Sequence, residues 1–249
     1  MAVSGPDRIV DGVYRLGSRY VNWYLVEDGD RLTVVDCALP KFFDQVEPAL
    51  SSLGRSIGDV ASIVLTHGDN DHIGFAERLR TAAGAPVSIH EADVEIATTS
   101  EQKQTEASLL PYLRHGTAWQ LIAHFAANGG LRPPPVAAVS THEDGQPLDV
   151  PGSPRVVFTP GHTNGHCVIH LPRHGVVFTG DALCTWNPLT GGTGPQLMPR
   201  AFNVSSDRAT ESLSALEATG AEVVLPGHGE PWADGAAAAV AAARDRGPT

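Results

Sequence analysis

Apolar and polar residues alternate along the chain in two ways, one with the period of a strand and one with the period of a helix. Residues 20–27 and 31–36 are apolar runs separated by Asp28-Gly29, a pair that predicts a tight β-hairpin. Short runs of β-branched and other apolar residues indicate further strands at residues 61–65, 85–90, 155–159, 167–171, 176–179 and 222–225.

Helical spacing of apolar residues occurs between these strands. Pro40 opens one such stretch, and Pro48 lies inside it, where a proline kinks a helix or marks its limit. Ser206 is a suitable N-cap for a helix that ends before Gly220. Further helices are predicted at residues 74–83, at the alanine-rich residues 236–243 as a surface helix, and in an amphipathic cap or insertion at about residues 91–130.

The alternation of strands and helices predicts an α/β fold, and neither an internal repeat nor a low-complexity linker divides the chain. We expect a single domain over residues 1–249 that contains the cap. With 249 residues, 42% of them hydrophobic and 18% charged, the chain is long enough and apolar enough to form one large core.

Composition and charge narrow the range of partners. The formal net charge is −11, from 28 acidic and 17 basic residues, which argues against a nucleic-acid partner. The chain shows neither a signal-peptide pattern nor the ~18 consecutive apolar residues of a membrane span, so no membrane partner is expected. Three cysteines without close spacing (Cys37, Cys167 and Cys184) are typical of reduced thiols, and we expect a cytoplasmic protein.

Candidate chemistry lies where predicted strands end. Four glycine-containing turns carry histidine or aspartate, and they are THGDNDHIG at 66–74, PGHT at 160–163, TGD at 179–181 and PGHG at 226–229. Strand ends are rigid, so side chains just beyond them can converge on one point. Histidine and aspartate are the residue types that bind zinc, iron and manganese.

Each turn taken alone has a simpler interpretation. A lone Pro-Gly-His is more often a turn with a surface histidine, and a lone Gly-Asp is usually an ordinary turn. The cluster between His67 and His72 is harder to explain in this way, because two histidines and two aspartates lie within six residues. The four turns in this order, each after a strand, indicate a metal site.

On these motifs the sequence resembles the metallo-β-lactamase-fold hydrolase superfamily, and the resemblance covers nearly the whole chain, from the hairpin at 22–36 to Gly229. It implies an α/β fold with an αββα sandwich of two mixed sheets flanked by helices, with metals at one edge. It also implies two sites: site 1 comprises His67, Asp69 and His162, and site 2 comprises Asp71, His72 and His228. By the same resemblance Asp181 would bridge the two ions, and Asp36 would steady the ligand loops.

The departure from the family pattern is at position 69, where the usual first motif, His-x-His-x-Asp-His, has a histidine and this chain has Asp69. A carboxylate is also a competent ligand. With two divalent ions, a bridging hydroxide and two carboxylates the formal charge is about +1, and a third carboxylate lowers it to about 0. Two divalent ions are expected, with zinc favoured and iron or manganese made possible by the oxygen ligand of Asp69.

The resemblance implies a metal-dependent hydrolase, in which a metal-bound hydroxide attacks an ester-type bond of a small, partly apolar substrate. Asp71 is the candidate catalytic residue, since it would orient the hydroxide and handle its proton. Lactones, thioesters and esters remain as substrate classes. The glutathione-thioester subfamily is disfavoured, because it adds a helical domain after the last motif. An apolar lid and plain helix packing are equally open interpretations of the aromatic residues Tyr112, Trp119, Phe125 and Trp186.

Two alternatives stay open. His67, Asp69 and His162 form a two-histidine, one-carboxylate set, which is the ligand composition of non-haem iron oxygenases. The second alternative is a binding protein that has kept the fold and lost turnover. His166 is a candidate supporting residue, and Cys184 is interpreted as a packing residue.

Overall fold

The structure is a computed structural model, and it describes residues 5–99 and 103–249. The strands are β1 (Asp7–Val10), β2 (Val13–Gly17), β3 (Asn22–Asp28), β4 (Arg31–Val35), β5 (Val60–Val64), β6 (Val87–His90), β7 (Ser140–His142), β8 (Arg155–Phe158), β9 (Cys167–Leu171), β10 (Val176–Gly180), β11 (Cys184–Trp186), β12 (Thr193–Gln196) and β13 (Val223–Pro226). The α-helices are α1 (Val46–Ser52), α2 (Ala76–Ala83), α3 (Val94–Thr99), α4 (Gly116–Ala127), α5 (Ser206–Glu217) and α6 (Gly235–Arg246).

Two mixed sheets form the centre of the fold. The first sheet has the order β1-β2-β3-β4-β5-β6-β7, and its strands are antiparallel from β1 to β4 and parallel from β4 to β7. The second sheet has the order β13-β10-β9-β8, with a parallel β10–β13 pair and antiparallel pairs on either side of β9. A separate hairpin joins β11 to β12.

Helices cover the outer face of each sheet. The core of the first sheet continues into α1 and α2 through residues such as Leu50 and Leu79. That of the second sheet continues into α5 and α6 through Leu213 and Val240. Between the sheets lies a third apolar layer, built from both of them by alternate residues of their strands. The molecule is therefore an αββα sandwich, and the predicted fold class is confirmed.

Several predicted elements differ in detail. A 3-10 turn covers Pro40–Gln45, and α1 starts at Val46, so Pro48 lies in the first helical turn, where a missing N–H is tolerated. Ser205 rather than Ser206 is the N-cap of α5, since its hydroxyl accepts the Arg208 amide.

The alanine-rich helix is only partly a surface helix. On α6 the residues Ala236, Ala239, Val240 and Ala243 are buried against α5 and the second sheet. The small alanine side chains allow α6 to pack close to its neighbours, so the alanine-rich composition reflects close packing. None of the helices in the described part of the chain is long and apolar enough to cross a membrane.

Strand direction brings one end of each sheet to a common edge. In the first sheet β4 and β5 are parallel neighbours. In the second sheet β8 and β10 are both antiparallel to β9 and so run the same way, and β13 is parallel to β10. The loops that follow these five strands meet at this edge, and they contain all the motifs that the sequence singles out.

Candidate metal centre

The predicted ligands converge at the shared edge. The loop after β5 carries His67, Asp69, Asp71 and His72, while His162, Asp181 and His228 follow β8, β10 and β13. Three groups of these side chains have their ligand atoms within 4.8 Å of one another: site 1 (His67, Asp69, His162), site 2 (Asp71, His72, His228), and a group of His67, His72 and Asp181. The structure thus brings together every residue predicted as a ligand.

Two of the imidazoles are oriented by Asp36. His72 Nδ1 lies 2.8 Å from Asp36 Oδ2, so it donates its proton to that carboxylate. The Thr66 hydroxyl donates to Asp36 Oδ2 at 2.8 Å and accepts from His67 Nδ1 at 2.9 Å. Both rings therefore carry a proton on Nδ1 and point Nε2 at the centre, which is the nitrogen that a metal would bind.

The other two imidazoles are oriented from different parts of the chain. His162 Nδ1 lies 3.0 Å from Asn203 Oδ1, and Asn203 Nδ2 donates to Met198 O at 3.0 Å, so Oδ1 is the acceptor. His228 Nδ1 donates to the backbone carbonyl of Tyr20. All four histidines thus turn Nε2 toward the centre, and Nδ1 of each faces a hydrogen-bond acceptor outside it.

Asp181 lies between the two sites. Its Oδ2 is 3.3 Å from His162 Nε2 and 3.3 Å from His228 Nε2, and its Oδ1 is 3.4 Å from His72 Nε2. Tetrahedral ligands at ~2.1 Å from a zinc ion are separated by about 3.4 Å. The spacing of these donor atoms is therefore that of a metal coordination shell, and Asp181 lies beside imidazoles of both groups.

Unsatisfied atoms at the centre support the same conclusion. His67 Nε2, His72 Nε2 and Asp181 Oδ1 are buried and have no hydrogen-bond partner. An unpaired buried polar atom costs about 1–3 kcal/mol, and such atoms are rare in folded proteins. Since a divalent ion at the centre would satisfy all three, the side chains present fit a metal.

Asp69 lies close to both imidazoles of site 1. Its Oδ2 lies 3.0 Å from His162 Nε2 and 3.8 Å from His67 Nε2. On the other side Asp71 Oδ2 lies 3.4 Å from His228 Nε2 and 3.9 Å from His72 Nε2. The two halves have the same composition, two imidazoles and one carboxylate.

The carboxylates of the two sites differ in their electrostatic surroundings. Burial raises the pKa of Asp71, and the nearby histidines only partly offset this. Burial acts in the same direction on Asp69, but the Lys103 ammonium and His162 hold the pKa of its carboxyl well below the usual range. Lys103 comes from the cap and was not predicted, because nothing in its sequence neighbourhood connects it with a motif 34 residues away.

Backbone geometry brings the loops close to one another. Asp36 has φ +58°, a left-handed conformation that is unfavourable for a residue other than glycine. The Thr66 amide donates to Asp36 Oδ1 at 2.8 Å and helps to hold this conformation. A Cβ on Gly227 would lie 2.5 Å from Asp181 Oδ1 and 2.6 Å from His72 Cε1, so only glycine fits beside the centre here.

Asp93 is a supporting residue that sequence reasoning missed. It lies in a 3-10 turn directly after β6 and is fully buried. Its carboxylate accepts from the amides of Gly68 at 3.0 Å and Gly165 at 2.7 Å, and from the Thr163 hydroxyl at 2.6 Å. One side chain therefore joins the loop of His67 to the loop of His162.

We expect Asp93→Ala to weaken metal binding by ~10–100-fold, because residues that orient ligands have effects of this size when removed. The measurement is a competition titration with a chromophoric chelator. The matched control is Glu91→Ala, an exposed acidic residue in the same turn, which should bind metal as the unaltered protein does. Equal metal affinity in both variants would show that Asp93 does not position the ligand loops.

His166 supports Asp181 through the backbone. Its Nε2 accepts the Asp181 amide at 3.1 Å, and its Nδ1 lies 2.9 Å from Thr159 Oγ1. Both ring nitrogens therefore have hydrogen-bond partners, and neither is available to bind a metal. Cys184 is buried with its thiol directed at the Gln196 carbonyl, as expected of a packing residue.

An apolar pocket of about 480 Å³ opens beside the centre. Asp69, Asp71, His162, Asp181 and His228 form its polar end. The remaining wall is largely apolar and comes from the cap and from the loops before α5: Ile96, Leu109, Leu121, Ile122, Phe125, Leu131, Pro188, Leu189, Met198, Ala201 and Phe202.

Of the four aromatic residues considered for an apolar lid, only Phe125 lines this pocket. Trp119 is 56% exposed and Trp186 packs edge-on against Tyr20. Tyr112 donates its hydroxyl to the Thr249 carbonyl. The lid interpretation is therefore wrong for three of the four, and aliphatic side chains form most of the apolar wall.

The family profile of the metallo-beta-lactamase superfamily matches residues 16–228, a span that includes every candidate ligand. The chain therefore belongs to the metallo-beta-lactamase superfamily, as the motifs predicted. The probable metallo-hydrolase YybB of Bacillus subtilis is 24% identical over 217 residues, which are 84% of this chain and 81% of that protein.

Two further similarities are informative. A metallo-beta-lactamase family protein from Thermus thermophilus, TTHA1429, superposes with a TM-score of 0.68 at 27% identity, and the match covers 96% of this chain and 81% of that chain. A hydroxyacylglutathione hydrolase of Cereibacter sphaeroides is 28% identical over 178 residues, which are 72% of this chain and 51% of that enzyme. This chain thus matches about half of the hydroxyacylglutathione hydrolase.

Proposed function

We propose that the protein is a metal-dependent hydrolase that cleaves an ester, thioester or lactone bond in a small, partly apolar substrate. The observation that supports this most strongly is the convergence of four Nε2 atoms and three carboxylates at the polar end of an apolar pocket. Family membership agrees with it, since similar proteins include a probable metallo-hydrolase and a hydroxyacylglutathione hydrolase.

The proposed ligands are the seven predicted residues, with Asp181 shared between the two sites. Two divalent ions, when bound, would supply Lewis acidity and a water activated near neutral pH. Zinc is proposed because four of the seven ligands are imidazoles, and Asp69 keeps iron and manganese as options. A cytoplasmic location is part of the proposal, since the buried cysteines Cys37, Cys167 and Cys184 are all unpaired.

The side chains have separate tasks in the proposed reaction. Asp71 orients the attacking water and holds its proton, because its carboxylate lies at the pocket surface as well as against His228. Asp36 and Asn203 fix the imidazoles, so that no ligand has to reorganise as charge develops on the substrate. The apolar wall excludes water from the acyl part of the substrate.

The pocket suggests which substrates turn over best. Its apolar residues begin where the polar centre ends, so a carbonyl at the centre places an acyl chain against Phe125 and Leu121. Each methylene buried is worth about 0.8 kcal/mol, or roughly fourfold in binding. An enzyme with this pocket should therefore prefer longer acyl chains until the pocket is filled.

We expect kcat/KM to rise by roughly fourfold per methylene from acetyl to hexanoyl substrates, in both an ester and a thioester series. Phe125→Ala should flatten this dependence, whereas Trp119→Ala, a change at an exposed residue outside the pocket, should leave it intact. A panel of lactones and phosphoesters completes the test. Preferred turnover of phosphoesters, or a rate independent of chain length, would contradict the proposed substrate class.

Elemental analysis separates the remaining interpretations of the site. About two equivalents of zinc per chain would support the hydrolase, because the proposed ligand set offers two sites. About one equivalent of iron together with oxygen consumption supports the iron oxygenase, for which His67, Asp69 and His162 have the right composition. Less than ~0.2 equivalents of any metal would contradict both enzymes and favour a binding protein.

A further inference from the structure

Lys103 reaches into site 1 from the cap. Its Nζ lies 2.9 Å from His162 Nε2 and also contacts Asp69 Oδ2. The side chain is only 9% exposed, so this is a buried contact rather than a solvated surface pair. Lys103 therefore touches two of the three side chains proposed to hold a metal at site 1.

The Lys103 ammonium and a metal ion would compete for the same nitrogen of His162. Since Nδ1 of this ring donates to Asn203 Oδ1, its Nε2 has a single lone pair. That lone pair can accept a hydrogen bond from the Lys103 ammonium or bind a metal ion, but it cannot do both. Lys103 also occupies Asp69 Oδ2, the carboxylate oxygen proposed to bind the metal at site 1. This oxygen lies 3.0 Å from His162 Nε2, and the Lys103 ammonium contacts both atoms.

Site 2 has no such competitor. In residues 5–99 and 103–249, Asp71 forms no ion pair with a lysine or arginine, and its ion-pair partners are His72 and His228. The two halves of the centre have the same ligand composition, so the lysine is the main difference between them. Replacing a hydrogen-bonded ammonium with a divalent ion costs site 1 an interaction that site 2 never has to give up.

We propose that Lys103 is a built-in competitor for site 1, so that the centre fills in two steps, with site 2 tight and site 1 weak. An ion at site 1 displaces the ammonium, and Lys103 then turns into the adjoining pocket, whose wall it already forms. The apparent affinity of site 1 is lowered by the fraction of molecules in which Lys103 occupies its ligands. This inference rests on the metal centre proposed above and adds the order in which its two sites fill.

The first test is a calorimetric titration of the chelator-stripped protein with zinc. The unaltered protein should bind a first equivalent tightly and a second at least ~10-fold more weakly, and Lys103→Met should tighten the second at least ~10-fold. Lys41→Met is the matched control, because Lys41 is the only other lysine of the chain and is exposed. An unchanged second equivalent in a folded Lys103→Met protein overturns the competition.

The second test uses the unaltered protein and does not depend on a variant that folds. Labelling with [13Cε]lysine gives two ε-methylene signals, one for each lysine. During zinc titration the Lys103 signal should move with the second equivalent and not with the first, while the Lys41 signal stays in place. Movement of Lys103 with the first equivalent, or none at all, overturns the proposal. Failure to bind zinc at all would instead refute the metal centre itself.

Discussion

Asp181→Ala should abolish activity and reduce bound zinc from two equivalents to less than one. Asp181 is the side chain that lies within 3.4 Å of three imidazoles, so its removal takes a ligand from both sites at once. We expect kcat/KM to fall at least ~10³-fold, which corresponds to about 4 kcal/mol of lost transition-state stabilisation. Metal content by elemental analysis and turnover of the best substrate check both parts.

Two controls make this result specific. Asp149→Ala removes an exposed aspartate and should leave both metal content and turnover unchanged. Asp181→Asn keeps an oxygen that can bind one ion but lacks the negative charge that favours two, so it should retain about one equivalent. If Asp181→Ala were folded and still held two equivalents of zinc, the bridging role would be wrong.

Elements of the fold can be predicted from the sequence when the residues that determine them are adjacent in the chain. The β3–β4 hairpin was predicted because its turn is encoded in two adjacent residues, and Gly29 indeed adopts φ +63°. The first strands, β1 and β2, were not predicted. β1 pairs with β2, and β2 pairs with β3, so these strands depend on their neighbours rather than on a periodic pattern of their own.

The convergence of the candidate ligands was predictable because each of the four motifs follows a strand and contains a glycine. The parallel directions of β4 and β5, and of β10 and β13, then carry these strand ends to one edge. The motifs at strand ends predict the convergence, the family resemblance adds the division into two sites, and the strand directions give the geometric reason. That Asp69 points into the centre was an interpretation of a departure from the family pattern, and its distance of 3.0 Å to His162 agrees with it.

The supporting residues could not be found in the same way. Asn203 orients His162 from 41 residues away, and Tyr20 accepts from His228 across 208 residues. Asp93 and Lys103 lie in stretches that look merely polar. Such contacts carry no sequence periodicity, because they depend on how loops from separate elements meet in the folded chain. The pocket wall was missed for a related reason, since apolar residues such as Leu121 and Ile122 on α4 look the same whether they pack or line a cavity.

Asp71→Asn should separate catalysis from metal binding more sharply than any other change. The amide keeps an oxygen 3.4 Å from His228 Nε2, so we expect both zinc equivalents to remain, while the group that holds the proton of the attacking water is lost. General-base catalysis is worth ~10²–10⁴-fold, and kcat should fall by that factor with KM nearly unchanged. Asp207→Asn, at an exposed position on α5, is the control and should have no effect. A variant with two zinc ions and unaltered kcat would remove Asp71 from the proton-handling role, and a variant without zinc would show that its carboxylate charge is needed to hold the metal at site 2.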